Sequence, residues 1–208
     1  MRILMLLTVA LAIGGCTNMV FSDRPLFHRA DSRGAPSFRP GVWAAKAGDC
    51  VADLSRPLQD WPACALGIVH GRNGPEDIPG EVSFRVVAGD PPVLQQAYFG
   101  TVLYGGLRPL EHDERGRVTA YEAWVALCGP PPPPRTTGAA SITGGQLTLE
   151  LLPGLEADDS NCRARRSDAV RRSVAQSRPW QQAVVEMRWM RERTAIDRYP
   201  APDGRSGR

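Results

Sequence analysis

The sequence has few of the residues and motifs on which most enzymes depend. It contains three histidines and a single lysine, Lys46, among 25 basic residues. It has no G-x-S-x-G or S-x-x-K motif for a nucleophilic serine, no H-E-x-x-H or C-x-x-C pattern for zinc, and no D-x-D-x-D-G loop for calcium. These absences argue against the common hydrolases, zinc enzymes and calcium-loop proteins. We therefore predict a protein that is not an enzyme and that has no cofactor and no metal site.

Long apolar runs are also lacking. The stretch from Ile3 to Ile13 is only 11 residues long, whereas a membrane-spanning helix needs roughly 20. It follows the positively charged Arg2 and ends in Gly14-Gly15-Cys16, a pattern typical of a bacterial lipoprotein signal. The sequence therefore predicts that residues 1–15 are a signal peptide and that Cys16 is the lipidated new N-terminus.

The residue after the lipidated cysteine bears on the location of the protein. In enteric bacteria an Asp at this position retains lipoproteins in the inner membrane, and here the residue is Thr17. By that resemblance we expect the outer membrane, with the protein on its periplasmic side. The lipid bilayer, reached through acylated Cys16, is then its first partner, and more than one acyl chain is needed for stable anchoring.

Four cysteines remain once Cys16 is assigned to the lipid. An even number in an oxidising compartment predicts two disulfides. Three pairings are possible, and neighbours in sequence meet most easily, so we favour Cys50–Cys64 and Cys128–Cys162. Cysteines that are oxidised in this way are not available as nucleophiles.

Prolines and glycines are abundant, at 19 and 21 of 208 residues, which disfavours long helices. Residues 16–40 are polar and broken by proline and glycine, so they are predicted to form a tether; the alternative is that Leu26 and Phe27 pack on the domain. Residues 41–198 are predicted to form one β-rich domain, with a Pro-rich loop at 129–145. Residues 199–208 are predicted to be a disordered tail.

The domain itself shows short alternating segments separated by turns. Residues 81–88 and 93–99 alternate, and residues 101–110 and 117–128 flank a charged turn as the strongest hairpin. Further strands are predicted at 42–45, 65–70 and 146–152. Ser167 to Gln176 is predicted to be a short helix, and residues 182–191 a closing strand in preference to a helix. The predicted fold is mainly β, a small antiparallel barrel or sandwich of about eight short strands with one short C-terminal helix.

The densest group of ionisable residues is Glu111-His112-Asp113-Glu114. Adjacent residues on a strand point to opposite faces, so this group is predicted to be a solvated turn and not a metal site. Five tryptophans are spread along the chain, which favours core packing over a sugar or lipid groove.

Charge is distributed unevenly. The chain through Cys162 has 13 basic and 17 acidic residues, and the remainder has 12 basic and 5 acidic residues. The basic end either contacts anionic lipid head groups or faces the acidic part of its own domain. We predict no nucleic-acid partner, because the compartment is wrong and no basic motif interleaved with aromatic residues is present.

Two resemblances go beyond single motifs. The Gly41-Val42-Trp43 start of the first predicted strand is similar to the G-x-W entry of lipocalin-type barrels. The wider pattern, with RPGVW, a WPAC loop, AGDPPVLQ, a late Cys-Gly-Pro and a C-terminal W-M-R, resembles uncharacterised lipoproteins of high-GC alphaproteobacteria. That family implies no known activity.

These observations lead to two functional hypotheses that residues support, and to a third, an unrecognised envelope hydrolase, that no residue supports. The first is a lipid-anchored, non-catalytic interaction or structural module of the cell envelope, with another envelope protein as its partner. The alternative is a lipocalin-like carrier of a small apolar ligand.

Overall fold

A computed structural model of the chain describes residues 18–46, 50–130, 150–181 and 184–197. The predicted signal peptide, Cys16, most of the Pro-rich loop and the predicted tail lie outside these ranges. The described part is mainly β, as predicted, with eleven strands and one α-helix, α1, at Ser167–Ser177. The strands are β1 Val20–Ser22, β2 Gly41–Ala45, β3 Ile68–Gly71, β4 Gly74–Pro75, β5 Val82–Val87, β6 Val93–Tyr98, β7 Thr101–His112, β8 Val118–Val125, β9 Leu155–Asp158, β10 Asn161–Ala164 and β11 Val185–Arg191.

All eleven strands belong to one sheet that is not closed into a barrel. Its order is β4-β3-β2-β11-β8-β7-β1-β10-β9, and β5 and β6 branch from β7. The twelve-residue β7 is central, because β6 pairs along one of its edges while β1 and β8 share the other. The sequence predicted about eight strands; the additional ones have only two to four residues, too few to show a periodic pattern.

The longer elements match their predictions. β7 and β8 form the predicted hairpin, and its turn is fixed by Asp113, whose Oδ1 accepts the backbone N–H groups of Arg115 and Arg117. The segment predicted as the closing strand contains β11, which pairs with β2 and β8. The strand predicted at 146–152 lies partly outside the described residues, and 150–152 are not in a strand.

The segment predicted as a tether is instead part of the fold from Asn18 onward. β1 pairs with β7 and with β10, and the side chains of Val20, Phe27 and Phe38 are almost completely buried. The amide N–H of Phe27 donates to Gln95 Oε1 at 3.0 Å. The apolar residues of this segment occur singly or in short groups between polar ones, so the sequence shows no periodicity, yet Val20, Phe27 and Phe38 are core residues.

The core includes a group of four buried rings, the aromatic cluster: Phe38, Trp43, His70 and Tyr121. The rings of Trp43 and His70 are stacked with centroids 4.5 Å apart, and the ring edge of Phe38 meets Tyr121 at 5.6 Å. Trp61 and Trp124 are buried as well. Trp189 is partly buried and packs against the same cluster, so the predicted packing role is correct for four of the five tryptophans.

His70 introduces a titratable group into this cluster. Its Nε2 lies 2.9 Å from Tyr121 Oη, and Nδ1 has no hydrogen-bond partner among the described residues. Burial lowers the pKa of His70 to about 3, since a charged imidazole would lose its hydration there.

We expect acid to destabilise the fold through His70. Below pH 6.5 the unfolded chain binds a proton at this residue and the folded chain does not. The free energy of unfolding therefore falls by about 1.4 kcal/mol for each unit by which the pH is lowered, from this residue alone. Urea unfolding between pH 7.5 and 5.0 measures this slope. His70→Phe, which keeps a ring but cannot titrate, should flatten the slope, while His28→Gln, at an exposed position, should not. Equal slopes in all three proteins would contradict the argument.

None of the described helices has the length and hydropathy to cross a membrane.

Candidate functional site

The N-terminal end of the described chain is the part of the fold nearest in sequence to Cys16. Asn18 is buried and has a positive φ of 74°, which asparagine tolerates better than most residues. Its backbone N–H donates to Ser160 O at 2.5 Å, and its side-chain Nδ2 donates to Gly129 O at 3.1 Å. The N–H of Cys128 donates to Asn18 O at 2.9 Å. Asn18 is therefore held by two distant parts of the chain.

Met19 extends this attachment. Its N–H donates to Asn161 Oδ1 at 3.0 Å, and its carbonyl accepts the N–H of Cys162 at 3.1 Å. Met19 also forms an antiparallel bridge with Leu127. We call the set Asn18, Met19, Cys128, Gly129, Asn161 and Cys162 the junction.

A disulfide lies at the centre of the junction. Cys128 and Cys162 are bonded, both are fully buried, and their Cα atoms are 5.7 Å apart. The second disulfide joins Cys50 to Cys64 and closes the loop that carries the buried Trp61. Both pairs are those predicted from proximity in sequence.

The covalent chain limits how far Cys16 is from the junction. Two peptide units separate Cys16 from Asn18, so their Cα atoms are at most about 7 Å apart. A tether of residues 16–40 would have allowed a span several times longer. Whatever is attached to Cys16 is therefore attached close to the body of the domain.

The described residues on either side of the gap at 131–149 lie close to each other. The N–H of Leu152 donates to Cys128 O at 2.7 Å, and a Cβ on Gly129 would overlap the carbonyl oxygen of Glu150. Gly129 and Glu150, near the two ends of the gap in the described residues, therefore both lie beside the junction.

The ionisable residues singled out in the sequence do not converge. Glu111 pairs with Arg188, and Asp113 pairs with Arg117, which lowers the pKa of Asp113 to about 2 through hydrogen bonds to the carboxylate. Glu76 pairs with Arg193 on another part of the surface. No group of three or more His, Cys, Asp or Glu side chains that could hold a metal ion occurs in the described ranges.

The basic C-terminal part is largely matched by carboxylates. Eight of the nine described arginines between Arg163 and Arg193 form ion pairs with acidic side chains, and the ninth, Arg171, donates to Ala88 O at 2.7 Å. Glu122, for example, lies between Arg108 and Arg178, and its hydrogen bond from Arg178 lowers its pKa. This distribution favours the second interpretation of the charge asymmetry, in which the basic end faces the acidic part of its own domain.

Two features were not singled out in the sequence. Asp197 is a fully buried carboxylate that binds Arg191, and Phe99 is an aromatic side chain that is 73% exposed at the β6–β7 turn. A carboxylate in a polar segment and a phenylalanine beside a glycine are unremarkable in the sequence. Only the fold shows that the first is inside and the second outside.

The chain was compared with models of protein families, with curated proteins and with solved structures, and it matches none of them.

Proposed function

We propose that the chain is a lipid-anchored cell-envelope protein, attached through acylated Cys16 to the periplasmic side of the outer membrane, where it acts as a non-catalytic interaction or structural module. The observation that carries the proposal is the position of the junction. The fold begins two residues after Cys16 and is held there by hydrogen bonds from two other segments and by the Cys128–Cys162 disulfide.

Several independent features support this proposal. The signal-like residues 1–15 precede a cysteine, and two disulfides are consistent with an exported protein. A short link between anchor and fold limits the domain to positions directly at the membrane surface. Such a link suits a protein that acts on a neighbour at that surface better than one that must reach across the periplasm.

The carrier alternative stays a prediction. The tryptophan of its G-x-W motif, Trp43, is fully buried in the aromatic cluster, and its Nε1 donates to Arg39 O at 3.0 Å. This contact explains why a tryptophan is needed there, and it does not require a ligand.

Replacing Cys16 tests the anchoring. In Cys16→Ser the thiol that accepts the lipid is gone, so we expect the protein to move from the membrane fraction to the soluble fraction, with unchanged thermal stability of the domain. Mass spectrometry of the wild type should find a lipid-modified Cys16 as the first residue. Thr17→Ser should behave as the wild type does, and Thr17→Asp should shift the protein toward the inner-membrane fraction of a density gradient. Membrane retention of Cys16→Ser would exclude anchoring through this residue.

A further inference from the structure

The hairpin formed by β6 and β7 ends in an unusual turn. Tyr98 and Thr101 are its last paired residues, so Phe99 and Gly100 form a two-residue loop. Both loop residues have positive φ, 43° and 81°, as in the type I′ turns that connect strands most tightly. Asn-Gly is the sequence that this turn favours, because asparagine adopts positive φ at little cost.

Phe99 is an unfavourable residue both for the backbone conformation of this turn and for an exposed position. A bulky side chain at positive φ is a conformational outlier, and the ring is 73% exposed. The neighbouring Tyr98 contacts it edge to face, with ring centroids 4.3 Å apart, which limits the motion of the ring. The hairpin tip between β7 and β8, at the other end of β7, has ordinary turn residues in Asp113 and Gly116. Folding alone therefore gives no reason for phenylalanine at position 99.

The position of the tip relative to the junction indicates what it contacts. β1 starts at the junction and ends at Ser22, which lies opposite Val102 near the start of β7. The tip is therefore roughly 20 Å from Asn18 along the strand direction. Because only Thr17 separates Cys16 from Asn18, anchoring keeps the junction close to the lipidated residue, and the Phe99 tip lies at the opposite end of the β1–β7 pair.

We infer that Phe99 is the contact residue for a partner protein of the envelope and that its ring inserts into an apolar pocket of that partner. This inference rests on the proposed anchoring, which places the tip at the end of the β1–β7 pair that is farther from the membrane attachment. Aromatic side chains, phenylalanine among them, are enriched at the centre of protein interfaces relative to the rest of the surface.

The first test separates binding from folding. Phe99→Asn introduces the favoured Asn-Gly turn, so the variant should fold with equal or higher thermal stability.

The second test is photo-cross-linking. A benzophenone-bearing phenylalanine at position 99 of the otherwise unchanged chain, irradiated in intact cells, should give one discrete protein adduct. The same probe at exposed Arg115, on the β7–β8 hairpin tip, is the matched control and should not give this adduct.

The adduct then identifies a protein whose binding is measured directly. The purified partner should bind the wild-type domain at least tenfold more tightly than Phe99→Asn. Adducts with lipid, adducts with a second copy of this chain, no adduct beyond the control, or equal affinities would each overturn the inference. Fractionation of the same cells reports anchoring separately, so a failure of the anchor is distinguishable from a failure of the contact.

Discussion

Replacing Asp197 by alanine is expected to lower the free energy of unfolding by about 3–5 kcal/mol, the typical loss when one partner of a buried ion pair is removed. The carboxylate is fully buried and accepts two hydrogen bonds from the Arg191 guanidinium, at 2.5 and 2.7 Å. It also accepts the N–H and the hydroxyl of Thr194, at 2.9 and 2.8 Å, and the N–H of Leu58 at 3.1 Å. Alanine would leave these donors without their acceptor.

The effect should extend beyond the C-terminal segment. Arg191 also donates to Arg56 O at 3.1 Å, and its guanidinium lies 5.8 Å from the ring centroid of Trp61. Asp197 therefore orients a cation that contacts the loop closed by Cys50–Cys64. Loss of the carboxylate should loosen this loop together with the segment that follows β11.

The matched control is a carboxylate on the same segment that is exposed. Glu192 pairs with Arg39 at 3.1 Å, with 70% of its side chain exposed, so Glu192→Ala should change stability by less than about 1 kcal/mol. Urea unfolding at pH 7 compares the two variants. The interpretation is wrong if Glu192→Ala costs as much as Asp197→Ala.

The contribution of Asp197 to stability should also decrease in acid. The hydrogen bonds from Arg191 hold the pKa of Asp197 well below its ordinary value. Its stabilising contribution is therefore complete above the pKa of the unfolded chain, near 4, and is lost as the pH falls below that value.

The sequence predicted the elements whose signal is local. The alternation in β5 and the β7–β8 hairpin are patterns of adjacent residues, and pairs of cysteines close in sequence joined as expected. The closing strand β11 was also predicted, because Val185, Met187 and Trp189 alternate.

The elements that were missed depend on residues far apart in the chain. β1 has three residues and is stabilised by partners at least 80 positions away, in β7 and β10. The junction is similar, since Asn18 binds Gly129 and Met19 binds Asn161. A polar residue gives no local sign of such a distant partner, and for this reason residues 18–40 resembled a tether. The sequence predicted Cys16 as the anchoring residue, but it did not predict how close the described fold begins to it.

The disulfide at the junction should have the second large effect. Removing it in the double variant Cys128→Ala/Cys162→Ala releases a loop of about 35 residues in the unfolded chain, which corresponds to about 4 kcal/mol on the chain-entropy model. The fully buried positions add a cost, because alanine leaves unfilled volume beside Val20. Urea unfolding under non-reducing conditions measures the total loss.

The matched comparison is the other disulfide, and it separates a general loss of stability from a loss at the junction. Cys50→Ala/Cys64→Ala opens a loop of about 15 residues and should cost about 3 kcal/mol. Under native conditions, the amides of residues 18–22 should exchange with solvent faster in the variant without Cys128–Cys162 than in the variant without Cys50–Cys64. The reason is that Cys128 and Cys162 carry the backbone groups that bind Asn18 and Met19. Equal protection of these amides in both variants would mean that the disulfide stabilises the domain without holding the junction, and a fold attached firmly beside Cys16 would then need another explanation.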